Sequence, residues 1–224
     1  MRVLGIETSS RRGTVAVLAE GRVLAVKEST EPHGDRLLGL VGETLREAGL
    51  EKTDLDRLGV GIGPGSFTGV RVGVALAQGI ALGLGRPLVG VSSLRAMCRA
   101  VPGETPGARC AVLDARRGEL FFAAYAADGR ELVAPRTIAP AELAAAIRGV
   151  PGAALLVGEP PPGLPLSLPR WASLESDLPH AVAVARAASE LSEIDCPPEP
   201  AYVREADAIR PDLPKSPLSS GGPR

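Results

Sequence analysis

The 224-residue chain has no asparagine, one glutamine, two histidines and three cysteines. The two histidines, His33 and His180, lie far apart, so a His-based metal centre has few ligands to draw on. Cys98, Cys110 and Cys196 are odd in number and form no CxxC pair. That excludes a disulfide framework and fits a reducing compartment. An excess of positive charge is also missing: 25 Lys and Arg face 26 Asp and Glu, for a net charge of −1. A broad basic face for phosphate backbones is therefore not expected. Arg11-Arg12 and Arg116-Arg117 read as solvated turn residues. The opening MRVLGIE lacks the pattern of a secretory signal. The longest apolar stretch, Val72 to Leu84, is interrupted by Gln78 and reads as too short to span a bilayer. The chain is read as cytoplasmic.

What is present is an ordinary globular balance, 45% hydrophobic and 23% charged residues. The chain is long enough for one large core or two small lobes. Proline is abundant, with 21 residues. Together with the missing asparagine this fits a thermophilic source.

The periodicity predicts two similar halves. Val3–Ile6, Thr14–Leu18 and Arg22–Val26 read as three strands joined by short turns. A helix follows from Gly34 to Ala48, with Leu37, Leu38, Val41, Leu45 and Ala48 on one face. Leu58–Ile62 reads as a strand, Val70–Leu84 as a helix, Pro87–Val91 as a strand and Ser92–Arg99 as a short helix. Pro102–Gly107 reads as a hinge or linker. The second half repeats the pattern with strands at Cys110–Leu113, Glu119–Tyr125 and Glu131–Val133. A helix Pro140–Ile147, a strand Ala154–Val157, a proline-rich loop Gly158–Pro169 and a helix His180–Leu191 follow. The segment from Arg210 reads as a disordered tail. Each half begins with a strand ending in an acid, Glu7 and Asp114, and each returns through an acidic-Gly-Arg turn, Glu20-Gly21-Arg22 and Asp128-Gly129-Arg130. This duplication describes an α/β protein with the two lobes of the actin-like ATPase fold. The expected divisions are 1–103, 104–209 with its last helix packing back, and 210–224.

In that architecture the acid after each first strand faces a nucleotide cleft, where it can hold a metal-bound water near phosphate. Glu7 and Asp114 are the candidates here. The loop Gly63-Pro64-Gly65-Ser66-Phe67-Thr68-Gly69 joins a strand to a helix whose N-terminus suits an anion. It lacks the lysine of a Walker loop. Gly63, Gly65, Ser66, Thr68 and Arg116 complete the candidate anion contacts. Thr68 and Pro64 have a plainer reading, as helix cap and turn stiffener.

The helix from Val70 to Leu84 carries only Arg71 and Gln78 as polar side chains. Gly69, Gly73, Ala77 and Ala81 fall four apart and make a stripe that a second backbone can approach closely. Packing inside the domain covers one face; the other is expected to dock a partner.

The stretch GVGIGPGSFTGVRVGVALAQGIALGLGRPLVGVSSLRAM, Gly59 to Met97, resembles the signature region of the TsaB (YeaZ) family. The segments VLGIETS, EPHGDRLL, LDARRGELFFAAY and PAYVRE are similar as well. The resemblance covers about the first 130 residues and returns near Pro200. It implies an actin-like fold and a part in forming threonylcarbamoyladenosine in tRNA. In that pathway TsaD transfers threonylcarbamoyl to an adenosine beside the anticodon, and TsaE, an ATPase, joins the complex. The resemblance implies a non-catalytic subunit that binds TsaD, or a second copy of itself, through the helices Gly34–Ala48 and Val70–Leu84. His33, Leu37, Leu40, Gly69, Gly73, Ala77 and Ile80 are the expected interface residues. Contact with tRNA is expected to be indirect. Cofactors of its own are not expected; ATP serves the wider complex. TsaD carries two metal-binding histidines four apart, and those positions fall on Ser93 and Met97 here, neither of which replaces a histidine. The second phosphate loop reads Asp114-Ala115-Arg116-Arg117-Gly118, without the usual glycines. The alternative is a stand-alone enzyme, a peptidase or an ATP-dependent kinase, for which Ser66 and Cys98 lack an evident histidine partner.

Overall fold

A computed structural model describes residues 1–31, 33–102, 104–158, 160, 168–171, 173 and 178–203, with 33–35 and 171 in backbone only. β1 (Arg2–Glu7), β2 (Gly13–Ala19) and β3 (Arg22–Ser29) form an antiparallel meander. Helix α1 (His33–Glu47) leads to β4 (Arg57–Gly61), which pairs parallel with β1. Helix α2 (Phe67–Leu84) leads to β5 (Leu88–Val91), parallel to β4, and α3 (Ser93–Arg99) closes the first half. The sheet order is β3-β2-β1-β4-β5.

The second half repeats this order. β6 (Ala108–Arg116), β7 (Glu119–Tyr125) and β8 (Glu131–Ile138) are antiparallel. α4 (Leu143–Arg148), β9 (Ala153–Val157) and β10 (Arg170–Trp171) follow, with β9 parallel to β6 and β10 parallel to β9. The order β10-β9-β6-β7-β8 is the first sheet's order, each strand number raised by five and the whole read from the opposite edge. Helix α5 (Ala181–Glu190) closes the described chain.

β8 runs five residues past Val133 and through Pro135. As an edge strand it needs no donor on its open side, so the proline is tolerated there. β10 lies beyond the expected proline-rich loop, most of which falls outside the described residues, as does the expected tail from Arg210. α2 begins three residues before Val70, because Ser66 caps it by accepting from the Gly69 N–H. At 18 residues it is long and apolar enough to cross a membrane, unlike the shorter stretch read from the sequence. Here its inner side is packed into the first core.

Core positions follow the pleat. Leu4 and Ile6 of β1, Val15 and Val17 of β2, and Leu58 and Val60 of β4 face α1 and α2. The opposite face, with Val3, Ala16, Leu18 and Val89, packs on the alanine-rich α5. α5 thus lies against the first sheet although it follows the second in sequence.

α3 serves both cores. Ala96 packs with α5, whereas Leu94, Met97 and Cys98 pack with Ala111, Leu113, Phe121 and Tyr125. The expected hinge at Pro102–Gly107 is pinned by Arg109, which is 2% exposed. Its guanidinium donates to the carbonyls of Pro102 (2.8 Å), Thr105 (3.3 Å), Ala126 (3.4 Å) and Ala127 (2.7 Å). Arg95 donates to Gly129 O of the same turn, and Arg99 pairs with Glu190 of α5. Arg109 thus clamps the linker to the Ala126–Ala127 turn.

Candidate functional site

The end of β1 collects most of the buried polar side chains. Glu7, Thr8, Ser9, Thr14, Ser93 and His180 are all buried. Glu7 Oε1 accepts the Ser9 N–H at 2.7 Å, and Glu7 Oε2 accepts the Ser93 hydroxyl at 2.8 Å. Gly61, ending β4, lies against this carboxylate, and any side chain there would collide with it. Thr8 Oγ1 donates to Gly69 O at 2.8 Å. Thr14 Oγ1 accepts the Ala181 N–H at 2.9 Å, and His180 Nδ1 accepts the Val182 N–H at 3.2 Å, so both hold the start of α5. Burial pushes the Glu7 carboxyl above its ordinary value, against the hydrogen bonds from Ser9 and Ser93. Burial lowers His180 to about 4, helped by nearby Arg12 and Arg186.

This corrects the reading of Glu7 as a cleft acid. The carboxylate faces protein donors on both oxygens and is closed off from solvent. Asp114 is in a different situation. It is exposed, and its Oδ1 accepts the Arg116 N–H at 2.7 Å within its own turn. Arg116 and Arg117 take left-handed backbone, φ 64° and 55°, at positions where a phosphate loop would have glycine. Each costs about 1 kcal/mol relative to glycine.

The glycine-rich loop is folded back onto the β1–β2 turn. The Ser66 N–H donates to Ser9 O at 2.6 Å, and Gly65 lies against Ser9. Gly63 is buried with φ 91°. The Ser66 hydroxyl is engaged in capping, and Ser66 and Thr68 alone among the five expected loop contacts from Gly63 to Thr68 and Glu7 reach solvent freely.

The small-residue stripe of α2 points inward, which overturns its expected docking role. Gly69, Gly73, Ala77 and Ala81 are buried with Val70 and Val74. Gly73 lies directly against the Thr8 hydroxyl, so the close approach the stripe permits is to β1 and its turn. Leu37 and Leu40 of α1 are likewise core. Ile80 is half-buried against them, and the His33 side chain lies outside the described residues. The exposed faces are others. α1 presents Leu38, 63% exposed, with Gly39 and Gly42. α2 presents Ala75, Gly79, Gly83 and Leu82, the last 86% exposed. The two helices pack on one another, and each turns apolar and small residues outward.

Sequence reasoning missed the strap that follows α5. Cys196 O accepts the Gly90 N–H at 2.8 Å, which covers part of the β5 edge. The Ala201 N–H donates to Ile62 O at 2.8 Å, and Gln78 donates to Pro198 O at 2.9 Å. Tyr202 then meets Phe67 and Arg71 at the first turns of α2. No periodicity marks such a segment; the PAYVRE motif was its one trace in the sequence.

Two mixed five-stranded sheets of the same strand order, joined through α3, define an α/β protein of the actin-like ATPase class. A family model described as "TsaD: tRNA N6-adenosine threonylcarbamoyltransferase" matches residues 26–157. The tRNA threonylcarbamoyladenosine biosynthesis protein TsaB of Escherichia coli (strain K12) is 41% identical over 130 residues, 57% of this chain and 56% of that protein. An uncharacterized protein of Mycobacterium tuberculosis is 34% identical over 92% of this chain and 93% of its own. The solved structure of YeaZ from Pseudomonas aeruginosa superposes with a TM-score of 0.68 at 32% identity, covering 84% of this chain and 90% of that one. The chain belongs to the TsaB (YeaZ) family. It spans about half the length of the relatives named TsaB that it matches.

Proposed function

We propose that this chain is a docking subunit of the machinery that forms threonylcarbamoyladenosine in tRNA, and that it engages a TsaD-type transferase through the outer faces of α1 and α2. The observation that carries this reading is the exposed surface of Leu38, Gly39, Gly42, Ala75, Gly79, Leu82 and Gly83. Surface apolar area of this kind, lined by small residues, lets helices of a partner approach closely. The TsaB name of the E. coli and Haemophilus influenzae relatives supports the pathway.

The chain is proposed to contribute no catalytic group. Ser93, in the place of a metal-binding histidine of TsaD, donates to Glu7, and Met97 sits in the core between α3 and the second sheet. The residues at the end of β1 do not fit a magnesium nucleotide, because Glu7 offers no open oxygen. A peptidase reading finds little support. Cys98 and Cys110 are buried, and burial pushes both thiols up, Cys110 to about 11. His180 Nδ1 is engaged with Val182, and the Ser66 hydroxyl caps α2. ATP is proposed to be handled by other subunits, TsaE among them, and tRNA to be held elsewhere, in the cytoplasm. Reconstituted tRNA modification with and without this chain tests the reading: omission should abolish or strongly reduce product, and product from this chain alone would overturn it.

A further inference from the structure

Arg71 is the one charged side chain of α2. Its guanidinium lies over the Phe67 ring, 3.6 Å from the centroid, and its Nε donates to the Tyr202 hydroxyl at 2.8 Å. The two rings are 5.7 Å apart at 42° and are 50% and 57% exposed. These contacts engage the π face and the Nε edge. The two Nη nitrogens have no hydrogen-bond partner among the described residues. The guanidinium is therefore held from two sides while its paired NH₂ groups keep their donors.

Arg71 stands on the open stripe of α2. Arg71, Ala75 and Leu82 are spaced i, i+4 and i+11, which puts them on one face of a helix, and all three are exposed. A partner that lies along this stripe from Leu82 to Arg71, about 16 Å at 1.5 Å per residue, removes water from Arg71 as well. A buried guanidinium without an anion is strongly unfavourable, so the occupant has to bring one. A planar two-nitrogen fork matches a carboxylate in geometry. Ordering this side chain has already occurred inside the chain, which lowers the cost of binding. Arginine and tyrosine at the margin of an apolar patch also have the composition of binding hot spots.

Resting on the docking role proposed above, we infer that this surface takes a partner protein that places an aspartate or glutamate carboxylate on Arg71, and that it favours such a partner over a second copy of this chain. A second copy offers no unpaired acid among the described side chains of α1. The α1 acids Glu43 and Glu47 are already paired, Glu43 with Arg36 at 2.7 Å and Glu47 with Lys27.

The test measures binding of the full chain to the TsaD-family transferase of the same organism, by calorimetry at 50 and 300 mM salt. Arg71→Ala should raise Kd by at least about thirty-fold at low salt and flatten the salt dependence. Arg71→Lys should fall between it and wild type, because charge without the fork is retained. Leu82→Glu tests the docking role separately. If Leu82→Glu abolishes binding while Arg71→Ala and Arg71→Lys bind within twofold of wild type, the carboxylate inference is overturned and Arg71 is an anchor for the strap only. If Leu82→Glu also binds normally, the docking role itself fails. If Arg71→Ala instead disrupts self-association of this chain, measured by sedimentation, the preferred occupant is a second copy and the inference is again overturned. If Arg71→Ala does not fold, Arg71→Lys and the salt dependence of wild type decide: unchanged affinity in both contradicts the inference.

Discussion

The Ser93 hydroxyl donates to Glu7 Oε2 at 2.8 Å, joining the start of α3 to the end of β1 across 86 residues of sequence. One bond closes two expectations: the acid expected to face a cleft and the serine expected to stand where TsaD has a metal ligand satisfy one another. Ser93→Ala leaves the buried carboxylate one donor short and should destabilise the fold by about 1–3 kcal/mol. Thermal unfolding of the purified variant checks this. An unchanged midpoint would mean that Glu7 has another donor.

Glu7 also sets a pH dependence. Its folded value is raised above the ordinary 4.5, so the folded chain holds the proton more tightly than the unfolded chain. Its effect on stability is most favourable below 4.5 and is lost as pH rises through the folded value. Glu7→Gln removes this titration. Relative to the variant, wild type should weaken as pH rises from 4.5, measured by chemical denaturation across pH.

His180 acts in the opposite direction. It must be unprotonated at Nδ1 to accept from Val182, and its folded value lies near 4 against an ordinary 6.5. Its neutral form favours folding, so its contribution is complete above pH 6.5 and is lost as pH falls toward 4. The full effect is about 3 kcal/mol. His180→Asn keeps a capping acceptor that does not titrate in this range, and should flatten the acid limb of the stability curve.

Substitutions on the two sides of α2 should separate folding from docking. Gly73→Leu pushes a side chain into Thr8 and should cost at least about 3 kcal/mol or prevent folding, since overpacking a close contact has no room to relax. Leu82→Glu alters an exposed position and should change stability by no more than about 0.5 kcal/mol. Circular dichroism melts of the pair check this directly.

That division was not legible in the sequence, for a physical reason. α2 is apolar nearly all round, so no polar stripe marks its outer side, and small residues suit close approach to a sheet as well as to a partner. The inward side is decided by Thr8, 61 residues before its hydrogen-bond partner Gly69. α1 shows the converse. Its amphipathic pattern placed Leu37, Val41, Leu45 and Ala48 correctly on the core face and failed at Leu38, which lies at the edge of that face. The duplicated meander was readable because alternation and acidic-Gly-Arg turns are local signals; β7 is observed at the expected Glu119–Tyr125. Glu7 was recognisable as the strand-ending acid, but its enclosure depends on Gly61 and Ser93, which only the folded chain brings together. The strap and the Arg109 clamp rest on contacts to backbone carbonyls, which leave no residue pattern.

The clamp makes its own prediction. Arg109→Ala removes the donors to Pro102, Thr105, Ala126 and Ala127 and should speed hydrogen exchange in the two turns that contain them at least about tenfold while the first sheet stays protected. Unchanged exchange would show that the linker is held by packing alone.

The most direct test of the docking surface is the affinity of this chain for the TsaD-family transferase of its own organism, compared between wild type and Leu82→Glu under conditions where both are folded. The account predicts a stable complex with wild type and at least about a hundred-fold loss of affinity in the variant. Equal affinity for the two proteins, or no complex with wild type, would contradict it.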